Sequence, residues 1–419
     1  MLVTKDENMI PTPIHQARAA GLALLQPSRR DLAYGLGLHA DSFVMDAYGF
    51  APLTAPDPAA LRRLAEAGAS DIELQDAREE MSMLAPARSD RARREYETAW
   101  NQAGVHAIFQ NAGEEGQSPL RLLKRLARFT HLTDRLGRVV ARAATPDDLI
   151  AARLRRGHAL YVSANGVPLA QDWKSAHDEL AWIKLFFQLG CRMMHLTYNR
   201  RNMIGDGCAE TADAGLSDFG RAVIAEMNRV GVIVDTAHSG WRTTLEAARA
   251  SAVPVVASHS ACADLHPHYR GKPDAVIKAL ADSGGYLGIA CIPAFLGGRG
   301  DLNRFLDHVL HAVRLVGADH VAIGTDSAYM PADFRIKSRQ APSRPARPRW
   351  ENFWRTDAAH PDDPAWNRPR QRLTLAWSNW PLFTVGLVQR GLKNKDIQKI
   401  IGGNVLRVAK AAWKARTDG

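Results

Sequence analysis

Short apolar runs alternate along this chain with longer segments whose apolar residues recur at helical spacing. Eight of the runs have the length and composition of strands, at residues 36–41, 105–110, 160–164, 192–197, 232–236, 254–258, 286–291 and 320–325. Continuous apolar runs of this length, bounded by glycine and turn residues, are typical of strands buried on both faces. The pattern therefore predicts eight strands separated by helices.

Two of the predicted helices have clear ends. Ser217 is a suitable N-cap for a helix that stops at Gly231, and a second apolar stripe stops at Gly190. Repeated strand–helix units indicate a parallel sheet. Eight units, with no dinucleotide-binding glycine fingerprint after the first strand, favour an α/β fold closed as a (β/α)8 TIM barrel, with residues 1–419 forming one domain.

Two stretches interrupt the alternation. Residues 50–100 are mostly helical in pattern and form an insertion after the first predicted strand, and residues 327–370 are rich in Pro, Arg and Trp. Loops of this length in a compact domain are usually functional or disordered. Because the second stretch follows the last strand, it is expected at the catalytic face, either as a surface extension packed by its own aromatic residues or as a lid or subunit contact.

Composition excludes several classes of protein. Apolar residues make up 46% and charged residues 23% of the chain, and the net charge of +10 is spread rather than gathered on one basic helix, which argues against nucleic-acid binding. The first residues lack the apolar core of a signal peptide, and no uncharged apolar stretch approaches the roughly 18 residues of a membrane span. We therefore expect a cytoplasmic protein without a membrane anchor. The four cysteines form no CxxC pair and are expected to be reduced and buried.

Metal-ligating side chains follow four of the predicted strands. His39 and Asp41 end the first strand, His238 follows the fifth, His259 ends the sixth and Asp326 ends the eighth. In TIM barrels, catalytic residues lie at the carboxyl ends of the strands, so these side chains are expected to converge. Neutral imidazole and carboxylate are ligands that suit zinc. The pattern predicts a zinc site at the barrel mouth.

A single histidine at a strand end is more often a hydrogen-bonded structural residue than a ligand, and it is the convergence that favours metal. The remaining histidines, among them His195 and His360, are interpreted as structural or solvated because they do not share that position.

Several long motifs resemble one family of hydrolases. The run DTAHSGWRTTLEAARASAVPVVASHSACADLHPHYRGKPD, residues 235–274, is similar to the metal-binding core of the membrane (renal) dipeptidase family, peptidase family M19 of the amidohydrolase superfamily. Residues 196–231, GGYLGIACIPAFLGG and IIGGNVLRV also resemble bacterial members, and the resemblance covers most of residues 36–410. It implies a TIM-barrel metallo-dipeptidase that uses one or two zinc ions, and a homodimer.

The resemblance also implies roles for single residues. His39 and Asp41 resemble the ligands of one zinc ion, and His238 and His259 resemble those of the other. Asp326 matches the aspartate that orients the metal-bound water and carries its proton. In such a site, zinc activates the water that attacks the amide carbonyl.

The substrate class follows from an arginine. Arg270 lies eleven positions beyond His259, as does the family's arginine that pairs with the terminal carboxylate of the substrate. The guanidinium fork suits a carboxylate because it can bind both oxygens. The expected substrate is therefore a dipeptide or an N-acyl amino acid.

Three positions depart from the family pattern. Asn165 stands nearest to the glutamate that bridges the two metals, Tyr198 replaces a histidine that contacts the substrate carbonyl, and Cys291-Ile292-Pro293 lacks the aromatic residue of the family segment. Tyr198 and Asn165 are still expected to contact substrate. The departures leave open a mononuclear hydrolase, entry of Glu114 or Glu115 into the site, a lactonase or hydrolase of a specialised metabolite, or a non-catalytic binding homologue.

Overall fold

A computed structural model describes residues 12–113, 118–342 and 350–417 of the chain. In these residues ten strands form one parallel sheet system, in which β3 and β8 are short additions paired with β4 and β7. The strands are β1 (Met45–Gly49), β2 (Ala107–Asn111), β3 (Val140–Arg142), β4 (His158–Ala164), β5 (Cys191–His195), β6 (Ile233–Asp235), β7 (Val255–Cys262), β8 (Gly271–Lys272), β9 (Tyr286–Ile289) and β10 (Val321–Ile323).

The eight strands other than β3 and β8 form a nearly closed barrel. Their order is β1-β2-β4-β5-β6-β7-β9-β10, and neighbouring strands in this order pair in parallel. Between the last strand and the first, the Asp326 amide donates to the Tyr48 carbonyl at 3.0 Å, and the Phe50 amide donates to the Ser327 carbonyl at 3.2 Å. The predicted (β/α)8 TIM barrel is confirmed.

Helices surround the barrel and form most of the first long insertion. They are α1 (Thr12–Leu25), α2 (Arg29–Asp41), α3 (Pro58–Glu66), α4 (Asp71–Arg88), α5 (Asp90–Ala103), α6 (Pro119–Arg135), α7 (Pro146–Leu154), α8 (Ala176–Gln188), α9 (Asp218–Val230), α10 (Trp241–Ala250), α11 (Asp274–Asp282), α12 (Pro293–Leu296), α13 (Leu302–Val316), α14 (Phe334–Gln340), α15 (Pro369–Thr374), α16 (Trp380–Gln389), α17 (Asn394–Gln398) and α18 (Asn404–Ala415). Helix α9 has the predicted ends, since Ser217 Oγ accepts from the Gly220 amide and Gly231 adopts a left-handed φ of 90°.

The core has two parts. One lies inside the barrel, where alternate strand residues such as Met45, Tyr161 and Tyr286 pack together, and Val405 of α18 belongs to the same cluster. The other lies between the strands and the surrounding helices. Because both faces of each strand are buried, the strands appear in the sequence as continuous apolar runs rather than as alternating patterns.

The first predicted strand is wrong. Residues 36–41 belong to helix α2, which Ser28 caps by accepting from the Asp31 amide at 3.0 Å, and the true first strand is β1. His39 is buried in helix packing, with Nδ1 2.8 Å from Thr384 Oγ1 and Nε2 2.9 Å from the Ala103 carbonyl oxygen. Asp41 is exposed at the end of the helix. Neither side chain reaches the barrel mouth.

This placement of His39 predicts acid sensitivity. Burial lowers the pKa of His39 to about 4 from a usual 6.5. A histidine with a depressed pKa contributes stability that is present above its unfolded pKa and lost as pH falls towards its folded pKa. When the pH is lowered from 7 to 4.5, protonation of His39 alone should decrease the free energy of unfolding by about 2–3 kcal/mol.

The measurement is denaturant unfolding of the wild-type and His39→Gln proteins at both pH values. The variant should lose less stability on acidification than the wild type and should keep the wild-type metal content. His177→Gln, at an exposed histidine, is the matched control and should follow the wild type. Equal acid sensitivity in all three proteins would contradict the assignment.

Candidate active site

Two histidines face each other at the barrel mouth. His238 follows β6 and His259 lies in β7, and their Nε2 atoms are 3.0 Å apart. The other ring nitrogens are held in place, with His238 Nδ1 2.9 Å from Asn199 Oδ1 and His259 Nδ1 2.9 Å from Ser258 Oγ. Because an amide oxygen can only accept, His238 Nδ1 carries hydrogen and its Nε2 presents a lone pair. This is the tautomer that a metal-ligating histidine needs.

The environment keeps both rings neutral. Burial, then the neighbouring Arg270 charge, lowers the pKa of both His238 and His259 well below the usual value. A ring on each side encloses the pair, since Tyr198 stacks on His238 at 3.9 Å between centroids and Tyr48 stacks on His259 at 3.8 Å. Neutral imidazoles in a dry site can ligate a metal without first losing a proton.

His195 lies beside this pair, contrary to the interpretation of it as merely structural. It ends β5, its Nδ1 is 2.9 Å from the Ala164 carbonyl oxygen and its Nε2 is 3.1 Å from Asp235 Oδ2. One ligand atom from each of His195, His238 and His259 lies within 4.8 Å of the others. The rule that active-site residues end the strands would have identified His195, because β5 ends at this residue.

A buried guanidinium reaches the same point. Arg270 is fully buried, and its Nη2 lies 3.3 Å from His238 Nε2 and 3.2 Å from the carbonyl oxygen of His259. Its Nη1 donates to the Ala237 carbonyl, its Nε has no hydrogen-bond partner, and the Phe295 ring lies 5.0 Å from its central carbon. No carboxylate pairs with it in the described parts of the chain. A buried cation without a counterion is costly unless a ligand supplies one.

The end of the first barrel strand differs from the expected HxD pair. Tyr48 and Phe50 stand there, and both line the candidate site. The Tyr48 hydroxyl donates a short hydrogen bond to Asn165 Oδ1, which follows β4. The resemblance implies three ligands for the second metal at these positions. The chain instead has the phenol of Tyr48, the phenyl ring of Phe50 and the neutral amide of Asn165, which already accepts from Tyr48.

Asp326 lies three residues beyond the end of β10. It is a non-glycine residue with a positive φ of 53°, a conformation that aspartate tolerates better than most residues and that often occurs at functional sites. The preceding Thr325 is anchored by Asp46, whose carboxylate accepts from the Thr325 amide at 2.9 Å and from its hydroxyl at 2.6 Å. This anchoring positions Asp326 at the cavity wall.

The site is a small cavity with an aromatic cover. Its volume is about 210 Å³, and part of the long segment after β10 contributes to its wall. The lining residues described so far are Tyr48, Phe50, Asn165, Tyr198, His238, Arg270 and Asp326. From the segment after β10, Trp354 packs on Phe295 at 6.1 Å, and both line the cavity with His360 and Ile292. Phe295 and Trp354 therefore supply the aromatic contacts that the Cys291-Ile292-Pro293 segment lacks.

Some predicted residues stand elsewhere. Glu114 and Glu115 lie outside the described residues. The four cysteines are all buried and unpaired, as predicted. One cavity brings together five of the predicted site residues, namely His238, Arg270, Asp326, Tyr198 and Asn165. His259 contacts His238 there, whereas His39 and Asp41 lie elsewhere.

The fold and this arrangement define a class. A parallel (β/α)8 barrel with histidines and an aspartate at the carboxyl ends of its strands is an amidohydrolase-like barrel. The family model of membrane dipeptidases, peptidase family M19, matches residues 72–334. The chain belongs to the membrane dipeptidase family.

Individual relatives agree with this assignment. Dipeptidase tcpJ of Claviceps purpurea is 28% identical over 231 residues, which cover 54% of this chain and 46% of that protein. Dipeptidase verJ of Clonostachys rogersoniana is 30% identical over 225 residues, with 53% and 48% covered. The matches span about half the length of these relatives. The crystal structure of an amidohydrolase from Pseudomonas aeruginosa has a TM-score of 0.63 at 23% identity, covering 91% of this chain and 99% of that one, which demonstrates a shared fold.

Membership of a metallopeptidase family implies a metal cofactor, and the donor set fits one ion better than two. His238 and His259, with His195 beside them, offer neutral nitrogens in a dry pocket. Among the described residues, those at the second position are Tyr48, Phe50 and Asn165, which are poor ligands for a dication.

In the described part of the chain, no helix has both the length and the apolar character needed to cross a bilayer. The cytoplasmic location and the homodimer stay predictions.

Proposed function

We propose that this protein hydrolyses small amides that carry a free carboxylate, either dipeptides or N-acyl amino acids, with one zinc ion held by His238 and His259. The observation that carries the proposal is Arg270, a fully buried guanidinium with no carboxylate partner in the described chain. It lies in the wall of the cavity that His238 and Asp326 also line, and His259 Nε2 is 3.0 Å from His238 Nε2.

Arg270 gives the substrate its orientation. A carboxylate within reach of the guanidinium would supply the missing counterion and add charge-assisted hydrogen bonds. The amide group of a small substrate bound in this way lies near His238, because Arg270 Nη2 and His238 Nε2 are only 3.3 Å apart. Zinc held by the two histidines would supply Lewis-acid chemistry to the amide carbonyl.

Other residues complete the reaction. Asp326 accepts the proton of the attacking water and passes it to the leaving amine, a transfer that general acid–base catalysis requires. Tyr198 and Tyr48 orient the two histidines by stacking, and the Phe295–Trp354 cover limits access of water. Asn165 fixes the Tyr48 hydroxyl so that it faces the cavity.

A second candidate is binding of the same ligands without turnover. The observation that favours it is the hydrogen bond between Tyr48 and Asn165, which occupies the place where a second metal would bind. This candidate predicts affinity for carboxylate ligands, no metal-dependent hydrolysis and no effect of an Asp326→Asn substitution on function.

The test is a panel of dipeptides, N-acyl amino acids, their methyl esters and lactones, with zinc-loaded protein. Free acids should be hydrolysed best. Arg270→Gln should raise KM for the acids about a hundredfold, since it removes a buried charge partner worth about 2–3 kcal/mol, and should change the methyl esters little.

Arg242→Gln, at an exposed arginine on α10, is the control and should match the wild type. An equal loss on acids and esters would refute the carboxylate role, and preferred turnover of lactones would select that chemistry instead. If nothing in the panel is turned over, the binding candidate replaces the hydrolase.

A further inference from the structure

A second cavity adjoins the catalytic cavity. It has a volume of about 290 Å³ and lies between the end of β1 and helices α4, α5, α6 and α14. Phe50 lines both cavities, so a single side chain forms their common wall. Phe50 is only partly buried, and its ring contacts Tyr48 edge-on at 6.0 Å between centroids.

The second cavity is predominantly apolar. Its walls are formed by large hydrophobic side chains: Leu53, Met83, Tyr96, Phe129, Leu132 and Phe334. The charged groups of its lining have partners within the protein. Arg125 donates to Glu79 through Nη2 at 2.7 Å and through Nε at 3.0 Å, and Arg78 donates to the Pro342 carbonyl at 3.3 Å. Ligand pockets of this size are mostly apolar with few polar groups. Among the described residues that line this one, the acid is Glu79, which is paired with Arg125.

The position of the cavity relates it to the substrate. Gln110 and Asn111, at the carboxyl end of β2, are part of its lining, so it opens at the same end of the barrel as the catalytic cavity. The Gln110 side chain accepts from the Ala51 amide at 2.6 Å and donates to the Asn111 carbonyl at 2.8 Å. Because these backbone groups satisfy its amide, Gln110 does not need a polar partner from a ligand in the cavity. An apolar group that passes Phe50 therefore enters a preformed apolar space.

We propose that this second cavity binds an extended acyl chain of the substrate, so that the preferred class is N-acyl amino acids with acyl groups of several carbons. This inference rests on the proposed function. The amino-acid carboxylate lies at Arg270, the amide at the histidine pair, and the acyl chain runs past Phe50. Hydrolysis breaks the amide C–N bond, water supplies hydroxyl to the acyl carbon and hydrogen to the nitrogen, and a carboxylic acid and a free amino acid result.

The size of the effect follows from burial. Each methylene group moved from water into an apolar pocket should raise affinity about threefold to fourfold. The gain should stop once the cavity is full. A dipeptide with a charged amino terminus should gain nothing from the cavity, because an ammonium group loses hydration there and finds no unpaired carboxylate among the described lining residues.

The experiment measures binding of N-acetyl, N-butanoyl, N-hexanoyl, N-octanoyl and N-decanoyl glycine by calorimetry. Zinc-loaded Asp326→Asn protein is used so that turnover does not consume the ligand. Affinity should rise with chain length and then level off. Met83→Trp fills the cavity and should flatten the dependence of affinity on acyl chain length. Met83→Ala enlarges the cavity, so the affinity should level off only at longer acyl chains. Ile72→Trp, on the exposed side of the same helix, is the matched control and should leave the dependence unchanged.

The outcomes separate the two proposals. Equal affinity for all chain lengths, with hydrolysis of N-acetyl glycine by the wild type, overturns the acyl site and leaves the proposed function standing. Rising affinity without hydrolysis by the wild type supports the site and overturns the hydrolase. A length dependence that is unaffected by both Met83 variants overturns the location of the site.

Discussion

Replacing either histidine of the facing pair by alanine is expected to leave the protein without bound zinc. The Nε2 atoms of His238 and His259 face each other 3.0 Å apart. Each ring is held in orientation by a hydrogen bond of its Nδ1 atom, to Asn199 and Ser258 respectively. Removing one ring leaves a site with too few ligands for a stable ion. Elemental analysis should give about one zinc per chain in the wild type and essentially none in His238→Ala or His259→Ala, with amide hydrolysis abolished in both.

The control for this prediction is a substitution of His39, which lies in helix α2 and not at the barrel mouth. His39→Gln should retain the wild-type zinc content, because His39 is hydrogen-bonded within the helix layer.

A triple variant, Tyr48→His with Phe50→Asp and Asn165→Glu, supplies the ligands that the second position lacks. It should raise the zinc content towards two ions per chain. Full zinc occupancy in His238→Ala would refute the ligand assignment, and a wild type that takes up no zinc would favour the binding candidate.

Asp326→Asn should reduce kcat by a factor of about 10²–10⁴, the usual contribution of a positioned general base and acid. The amide is nearly isosteric and can keep the left-handed backbone of residue 326, since asparagine also tolerates positive φ. KM and zinc content should therefore stay close to the wild-type values. The loss should fall on kcat because the amide cannot carry the proton between water and the leaving amine.

Asp41→Asn is the matched control for loss of a carboxylate. Asp41 is exposed at the end of α2, away from the barrel mouth, so its variant should keep wild-type kcat, KM and zinc content. A fall in zinc content in Asp326→Asn would mean that Asp326 is mainly a metal ligand. Unchanged kcat in Asp326→Asn would remove it from the mechanism.

Most of the barrel could be predicted from local pattern. Strands β2, β4, β5, β6, β7, β9 and β10 coincide with predicted apolar runs within a few residues, because burial on both faces leaves a continuous apolar signature. Helix α9 was predictable to the residue, since its serine cap and terminal glycine are local requirements of helix ends. These features depend on neighbours in the chain and can be recognised without tertiary structure.

The first strand shows where local pattern fails. The segment Leu36–Asp41 has apolar residues at alternating positions, yet α2 packs closely on α16, where an added Cβ at Gly35 would meet Val385 at 2.8 Å. The energy of that packing, between residues about 350 positions apart, outweighs the weak local preference. Because the local pattern places the first strand wrongly, it predicts His39 and Asp41 as ligands and does not indicate Tyr48 and Phe50.

The sequence by itself determined the barrel class, because the apolar pattern of the strands is local, and the family, because long motifs carry the resemblance. It also predicted His238, His259 and Asp326 as site residues from their positions at strand ends, and Arg270 from the resemblance. Only the tertiary structure decided which strand begins the barrel, that His195 lies beside the histidine pair, and that the Tyr48 hydroxyl donates to Asn165. It also decided that Phe50 separates two cavities. These features arise from contacts between segments far apart in the chain, whose packing energies no local pattern encodes.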